Sequence, residues 1–275
     1  MKISHMRVLR FPILWVLERF GNTEITIRHH YTRTPLTINA YQHKGYWYYG
    51  KRREQRTMSI FERVIAPGET VYEVGGHIGY ITQFFAELVG PSGSVLVFEP
   101  APDNLRYIER NIKDLPQVSL FRSAVSNRNG VADLQTESLT GQNNTLEDHY
   151  DRFDSVRAFS GRQNVEYTKI EVNCTTLDSV YGSTNKIPDL IKIDVEGHEH
   201  QVLQGMTQLL SECDPVIMVE VTKYHSSVFE QLRTAGFYAY TDSYSAVNEP
   251  EIAQGNTFFV RPSNKHYDLF QQMDS

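Results

Sequence analysis

Cysteine is scarce in this sequence: Cys174 and Cys213 are the only two among 275 residues. Two thiols cannot complete a zinc site alone, and so few point to a reducing compartment. Long apolar runs are missing too. Near the start, the stretch Phe11 to Leu17 is bounded by Arg10 and Glu18, whereas a membrane helix needs about 20 apolar residues. The stretch is also too short for a secretory core and lacks a small-residue cleavage site. It reads as a short amphipathic helix on the body of a cytoplasmic protein with no membrane span. The sequons at Asn143 and Asn173 then read as coincidence. Positive charge is not in excess: 27 Lys+Arg face 33 Asp+Glu, which argues against a broad electrostatic grip on nucleic acid. Tryptophan is rare, at 2, but there are 16 tyrosines and 14 phenylalanines to be placed in core or contact surface. With 40% hydrophobic and 22% charged residues the chain is not disordered in bulk. Its length buries a core without disulfide or metal staples.

Residues 1–56 show no strand–helix alternation. Thr23–His30 and Thr34–Ala40 are β-rich and predict a hairpin. The following Tyr41–Tyr49 holds five aromatics in nine residues. It reads as a strand packing its rings on the main body or, more sharply, as one wall of a substrate pocket. From residue 57 the pattern becomes regular. Helices are predicted at Thr57–Ile65, Tyr80–Val89 and Asn104–Lys113, and strands at Thr70–Val74, Ser94–Phe98 and Val118–Ala124. The span 130–167 is polar and weakly periodic, an insert that is either an active-site lid or disordered. Alternation then resumes with strands at Ile170–Cys174, Leu190–Ile193 and Val216–Val221 and helices at Leu177–Tyr181, His200–Leu210 and Ser227–Ala235. Strands at Phe237–Tyr240 and Thr257–Val260 close the chain. Such alternation implies right-handed βαβ crossovers in an α/β, doubly wound, mostly parallel sheet. The organisation expected is an N-terminal extension, residues 1–56, followed by one cofactor-binding domain, residues 57–275.

A glycine turn between strand and helix lets a ligand approach the backbone, and the helix N-terminus offers free N–H groups. Here the turn reads Glu73-Val-Gly75-Gly76-His77-Ile-Gly79. A dinucleotide fingerprint ending at Gly79 needs a glycine where Val74 stands. An acid just before the turn disfavours a pyrophosphate and suits a ligand carrying an ammonium and a sulfonium. Glu99 ends the next strand, where a carboxylate accepts hydrogen bonds from ribose hydroxyls.

Lys192-Ile-Asp194-Val-Glu196-Gly-His198-Glu199 follows the strand Leu190–Ile193, at the edge where open parallel sheets bind ligands. Alternation sends Asp194 and Glu196 to one side of the extended segment. Two carboxylates there can hold a cationic ligand, orient an acceptor hydroxyl, act as general base or bind a divalent metal. Glu220 is a third acid at the same edge, and His225 follows it.

Glu73-Val-Gly-Gly-His-Ile-Gly79, the Phe98-Glu99-Pro100 segment with Asn104, Ile191-Lys-Ile-Asp-Val-Glu-Gly-His-Glu199 and Val216-Ile-Met-Val-Glu-Val221 occur in order. In this the chain resembles the FkbM-family methyltransferases over about residues 57–261. The resemblance implies a seven-stranded class I fold, S-adenosylmethionine as cofactor, and O-methylation of a hydroxyl on a sugar, polysaccharide or natural product. It also implies cofactor contacts from Glu73, Gly75, Gly76, His77, Gly79, Glu99, Pro100, Asn104 and Asp194, with Ser123 and Ala124 near the adenine. Asp194 is expected nearest the transferred methyl, with Glu196, Glu220 and His225 as lesser candidates for orienting or deprotonating the acceptor. The family's first motif usually reads Asp-Val-Gly-Ala-Asn-Ile-Gly; here Glu73, Gly76 and His77 replace the aspartate, alanine and asparagine.

His198 and His200 flank Glu199, but residues two apart on a helix point in roughly opposite directions. A divalent metal is therefore possible but not favoured. An NAD(P)-dependent oxidoreductase and a non-catalytic module keeping the cofactor fold are the rival readings. The acceptor is read as a small molecule or glycan.

Overall fold

The computed structural model describes residues 23–137, 144–146, 167–221, 225–248 and 255–271. The expected helix at Phe11 to Leu17 and most of the insert lie outside these. Strands β1 (Glu24–Arg28) and β2 (Pro35–Asn39) pair antiparallel, with Glu24 opposite Asn39, as the hairpin expected. The aromatic segment is not a strand. Asn39 Oδ1 accepts the N–H groups of Tyr41 and Gln42 at 3.0 and 2.9 Å, turning the chain into α1 (Lys44–Tyr49). In α1 only Tyr46 is buried, where a strand would bury every second ring. A single 3-10 turn, Gly50–Arg52, leads to α2 (Gln55–Val64).

The core then alternates: β3 (Thr70–Val74), α3 (Tyr80–Val89), β4 (Ser94–Phe98), α4 (Pro102–Ile112), β5 (Val118–Phe121). Next come β6 (Ala124–Val125), β7 (Gly130–Glu137), β8 (Tyr167–Thr175) and α5 (Leu177–Thr184). After β9 (Leu190–Ile193) come α6 (Glu199–Gln204) and α7 (Thr207–Glu212), then β10 (Val216–Val221), α8 (His225–Thr234), β11 (Tyr238–Thr241), β12 (Gly255–Val260) and α9 (Tyr267–Gln271).

Seven strands form one sheet in the order β11-β12-β10-β9-β3-β4-β5. β3, β4, β5, β9 and β10 run parallel, and β12 lies antiparallel between β10 and β11. From β3 the chain builds outward through β4 and β5, then returns to build the other way from β9. The order therefore reverses between β3 and β9, and ligands bind beyond the carboxyl ends of strands at such a point. Side chains alternate between the faces: Val216 and Met218 of β10 join an apolar cluster with Phe61 and Phe85, while Ile217 and Val219 join one with Tyr72 and Phe98.

Two expectations change here. The strand expected at Ile170–Cys174 belongs not to the main sheet but to a three-stranded one, ordered β6-β8-β7. Val172 and Cys174 are buried while Glu171 and Asn173 are exposed, the alternation of a one-faced sheet. β7 pairs along β8 from Gly130–Cys174 to Glu137–Tyr167, so the start of the presumed insert is regular structure. The helix expected at His200–Leu210 is two, α6 and α7, parted at Gly205, where a Cβ would collide with the Ser126 carbonyl oxygen.

Leu36, Ile38 and Tyr46 share the core cluster of α2 and α3. Asn111 of α4 fastens the hairpin: its Oδ1 accepts from Thr37 N–H at 2.7 Å, and its Nδ2 donates to the carbonyls of Thr37 and Ile78 at 3.0 and 2.8 Å.

Candidate active site

The glycine turn after β3 is folded back on the sheet. The N–H groups of Gly75 and Gly76 both donate to the Phe98 carbonyl at 3.0 Å, and Asp194 N–H donates to Val74 O at 3.1 Å. Gly75 has φ +90°, and a Cβ there would collide with the carbonyl oxygen of Asp194. One at Gly76 would collide with Val97. These two glycines bring the carboxyl ends of β3, β4 and β9 together. Gly79 (φ +84°) opens α3, and its Cα faces Ile108, 3.0 Å from where a Cβ would sit. It serves helix packing, and it does not line the cavity below.

That cavity, about 390 Å³, lies over the reversal point. Glu73, Gly75, Gly76, His77, Glu99, Pro100, Asn104, Ser123, Ala124, Asp194, Glu196 and Glu220 line it. Every expected site residue is thus at the cavity except Gly79 and His225. His225 opens α8, and its side chain lies outside the described residues.

Glu99 is buried and accepts three hydrogen bonds: Oε2 from His77 N–H at 2.8 Å, Oε1 from Ala101 N–H at 2.9 Å and from Asn104 Nδ2 at 3.1 Å. A carboxylate has about four acceptor sites, so one is left for a ligand. Burial pushes the Glu99 carboxyl up to about 7 despite these donors. Glu73 is 1% exposed, and neither of its oxygens has a hydrogen-bond partner among the described residues. Burial also raises it to about 7, opposed by the charge of Lys192 and by the Thr82 hydroxyl, which is itself buried without a well-formed hydrogen bond. An orphaned buried carboxylate on a cavity wall is costly unless a ligand donates to it. With the glycine turn, which a side chain would fill, it fits the ammonium end of S-adenosylmethionine.

Lys192 was not singled out from sequence. It lies inside the apolar run Leu-Ile-Lys-Ile of β9 at 1% exposure, and a lysine there needs a partner. Its Nζ donates to the Gly75 carbonyl and to Asp194 Oδ2, both at 3.1 Å. Burial works to raise the Asp194 carboxyl, but the Lys192 charge, joined by a hydrogen bond with Glu220, prevails and holds it below the ordinary carboxylate range.

One oxygen each of Asp194, Glu196 and Glu220 fall within 4.8 Å of one another. Asp194 and Glu196 meet not by strand alternation, as expected, but because Glu196 lies in a turn with left-handed backbone. Such a trio could share a cation, but Lys192 already meets Asp194, and the charge of Arg53 acts on Asp194 and Glu220. His198 is bound instead to Ser126 Oγ at 2.9 Å, and its ring lies 6.5 Å from that of His200. Neither histidine joins the trio among the described residues.

The remaining wall comes from outside the sheet. Tyr46, Arg53 and Glu54 line the cavity, as do Leu134 of β7 and Asn144–Leu146 of the insert. Thr145 exchanges both backbone hydrogen bonds with Gln135, at 2.8 and 3.0 Å. The Tyr46 hydroxyl lies 3.0 Å from His77 Nδ1, tying α1 to the glycine turn. Only Tyr46 of the aromatic cluster reaches the cavity; Trp47, Tyr48 and Tyr49 are exposed. Glu54, His77 and Glu196 are three of six non-glycine residues with positive φ among the described residues, and all three line the cavity.

Residues 73–243 match the Methyltransferase FkbM domain. The chain is 24% identical over 197 residues to the 2-O-methyltransferase NoeI of Sinorhizobium fredii, covering 66% of this chain and 77% of that protein. It is 24% identical over 168 residues to the hexuronic acid methyltransferase AglP of Haloferax volcanii, covering 61% of this chain and 62% of that one. A crystal structure of methyltransferase FkbM from Methylobacillus flagellatus aligns with a TM-score of 0.44 at 14% identity, over 74% of this chain and 50% of that chain.

Proposed function

The chain belongs to the FkbM methyltransferase family, an S-adenosylmethionine-dependent class, and we propose that it methylates a hydroxyl on a sugar of a small molecule or glycan. The observation carrying this is the convergence of Asp194, Glu196 and Glu220 within 4.8 Å at the cavity that the glycine turn also lines. The names of NoeI and AglP, a 2-O-methyltransferase and a hexuronic acid methyltransferase, support a sugar.

When bound, S-adenosylmethionine supplies an electrophilic sulfonium methyl. Glu73 would hold the ammonium, the free acceptor site of Glu99 a ribose hydroxyl, and Ser123 and Ala124 the adenine. Asp194, kept ionised by Lys192, would orient the acceptor hydroxyl. A hydroxyl is a weak nucleophile until its proton leaves, so Glu220 or Glu196 would take that proton as the oxygen–methyl bond forms and the sulfonium–methyl bond breaks, its electron pair staying on sulfur as a neutral thioether. The protein contributes positioning and proton removal. We place the enzyme in the cytoplasm, a reading supported by the two buried free thiols, Cys174 and Cys213.

A test supplies labelled-methyl S-adenosylmethionine with a panel of glycosides and oligosaccharides. Label on a sugar oxygen is expected. Failure of the protein to bind S-adenosylhomocysteine, or binding of NADH in its place, would overturn the reading.

A further inference from the structure

Arg53 stands at the cavity with only its Nε engaged by a carboxylate. The guanidinium lies over the Tyr46 ring, 4.5 Å from its centroid, a cation–π contact that restrains it. On another flank it packs against α1, where a Cβ on Gly45 would stand 3.0 Å from a terminal nitrogen. Its Nε lies 3.2 Å from Glu54 Oε1, and the side chain is 25% exposed. Its two terminal nitrogens donate no hydrogen bond to any described residue. A clamped, mostly buried fork of donors on a cavity wall matches a planar anion that accepts two parallel hydrogen bonds.

The other charges at the cavity narrow the choice. Lys192 is already engaged by Gly75 O and Asp194. Glu73 is the opposite case, a buried carboxylate with both oxygens unpartnered among the described residues. Charge on Arg53 is shared with Glu54 and the carboxylate trio and charge on Glu73 with Lys192, but the terminal N–H groups of the one and the oxygens of the other still face the same cavity, which suits a zwitterion. A ligand of net negative charge would meet Asp194, Glu196, Glu220 and Glu54 there unless a cation bound beside it offset that charge, whereas a zwitterion carries its own cation.

We propose that Arg53 is the carboxylate-binding residue of this cavity, closing its terminal N–H groups on a carboxylate as a fork. Resting on the function proposed above, the carboxylate is that of the aminoacyl end of S-adenosylmethionine, opposite the ammonium at Glu73. The same chemistry has a second source, an acidic sugar acceptor. In either case the cavity is completed by a residue that precedes the sheet.

Calorimetry with S-adenosylhomocysteine and with 5′-methylthioadenosine, which lacks the amino-acid end, decides the matter. For Arg53→Met, similar in volume, the expected result is at least a ~tenfold weaker S-adenosylhomocysteine, with methylthioadenosine within about twofold of the parent. Arg53→Lys, which keeps the charge but loses the fork, should fall between. A second arm compares KM for p-nitrophenyl glucuronide and p-nitrophenyl glucoside. A rise confined to the glucuronide, with S-adenosylhomocysteine unaffected, also supports the proposal and assigns the carboxylate to the acceptor. Equal weakening of both nucleosides in the methionine variant overturns it, because the cavity as a whole has then been disturbed. So does unchanged S-adenosylhomocysteine affinity without an effect on the glucuronide. If the parent protein itself fails to bind S-adenosylhomocysteine, the function proposed above falls instead.

Discussion

Gly75 and Asp194 share a contact with no room for a side chain: a Cβ on the glycine would run into the carbonyl oxygen of the aspartate. The two end neighbouring parallel strands, so a methyl group at 75 has to push β3 and β9 apart. The positive φ of Gly75 adds a second penalty. Gly75→Ala is expected to lose about 3 kcal/mol of stability or more and most of its affinity for S-adenosylhomocysteine. Denaturant melts and calorimetry check both, and a variant that melts like the parent would show that the strand ends can relax.

Asp194→Asn keeps the shape and removes the charge that faces Lys192. Turnover should fall by about 10²–10⁴-fold, while S-adenosylhomocysteine affinity changes by less than about tenfold. Single-turnover kinetics separate the two. Full activity on the true acceptor would remove Asp194 from the reaction.

Glu73 and Glu99 are both raised by burial to about 7. Below that pH they are mostly protonated, and a neutral carboxyl attracts an ammonium poorly. Affinity for S-adenosylhomocysteine should therefore rise roughly tenfold from pH 6 to pH 8, the change in ionised fraction of one such group. Glu73→Gln should bind more weakly at pH 8 and show a flatter profile. A parent profile that is flat would contradict the assignment.

Two histidines tie acid stability to the N-terminal segment. His29 is fully buried, with Nε2 3.0 Å from Tyr80 O and Nδ1 accepting from Tyr31 and Thr32 N–H. His43 is 2% exposed, its Nδ1 accepting from Asn39 N–H at 2.9 Å. Burial lowers both to about 4. The unfolded chain takes up these protons near 6.5 and the folded chain near 4, so stability falls as pH drops through that interval. The loss approaches roughly 3 kcal/mol per histidine at its acid end. Urea melts at pH 7 and pH 5 should differ, and His29→Gln should narrow the difference.

Removal of divalent metal with EDTA should leave turnover unchanged, since Lys192 and Arg53 already supply positive charge beside the carboxylate trio. Activity lost to EDTA and restored by Mg²⁺ or Mn²⁺ would give the trio to a cation instead.

The readable parts of the sequence were those where backbone chemistry leaves few choices. A turn that packs against a neighbouring strand end must be glycine, so Gly75 and Gly76 announce themselves, and apolar runs such as Val216–Val221 mark buried strands. Gly79 carried the same signal for a different reason, its contact with Ile108 of α4. Local period also cannot say which sheet a strand joins, and β8 was misplaced for that reason. Tyr46, Arg53 and Glu54 were hidden because their partners are remote: Tyr46 meets His77, 31 residues on. Lys192 had a usable signal, a charge in the middle of a buried strand.

Glu54, His77 and Glu196 adopt left-handed backbone although each has a side chain, at a cost of order 1 kcal/mol apiece. Glycine at any of them would relieve that strain. Where that relief outweighs the bonds the side chain makes, such as His77 to Tyr46 and Glu54 to Arg53, selection for heat tolerance alone would drive these positions toward glycine, and the gain in melting temperature would coincide with an eroded cavity wall. A thermostability screen run without a turnover assay should enrich these changes first, making their appearance a warning that robustness is being drawn from the site.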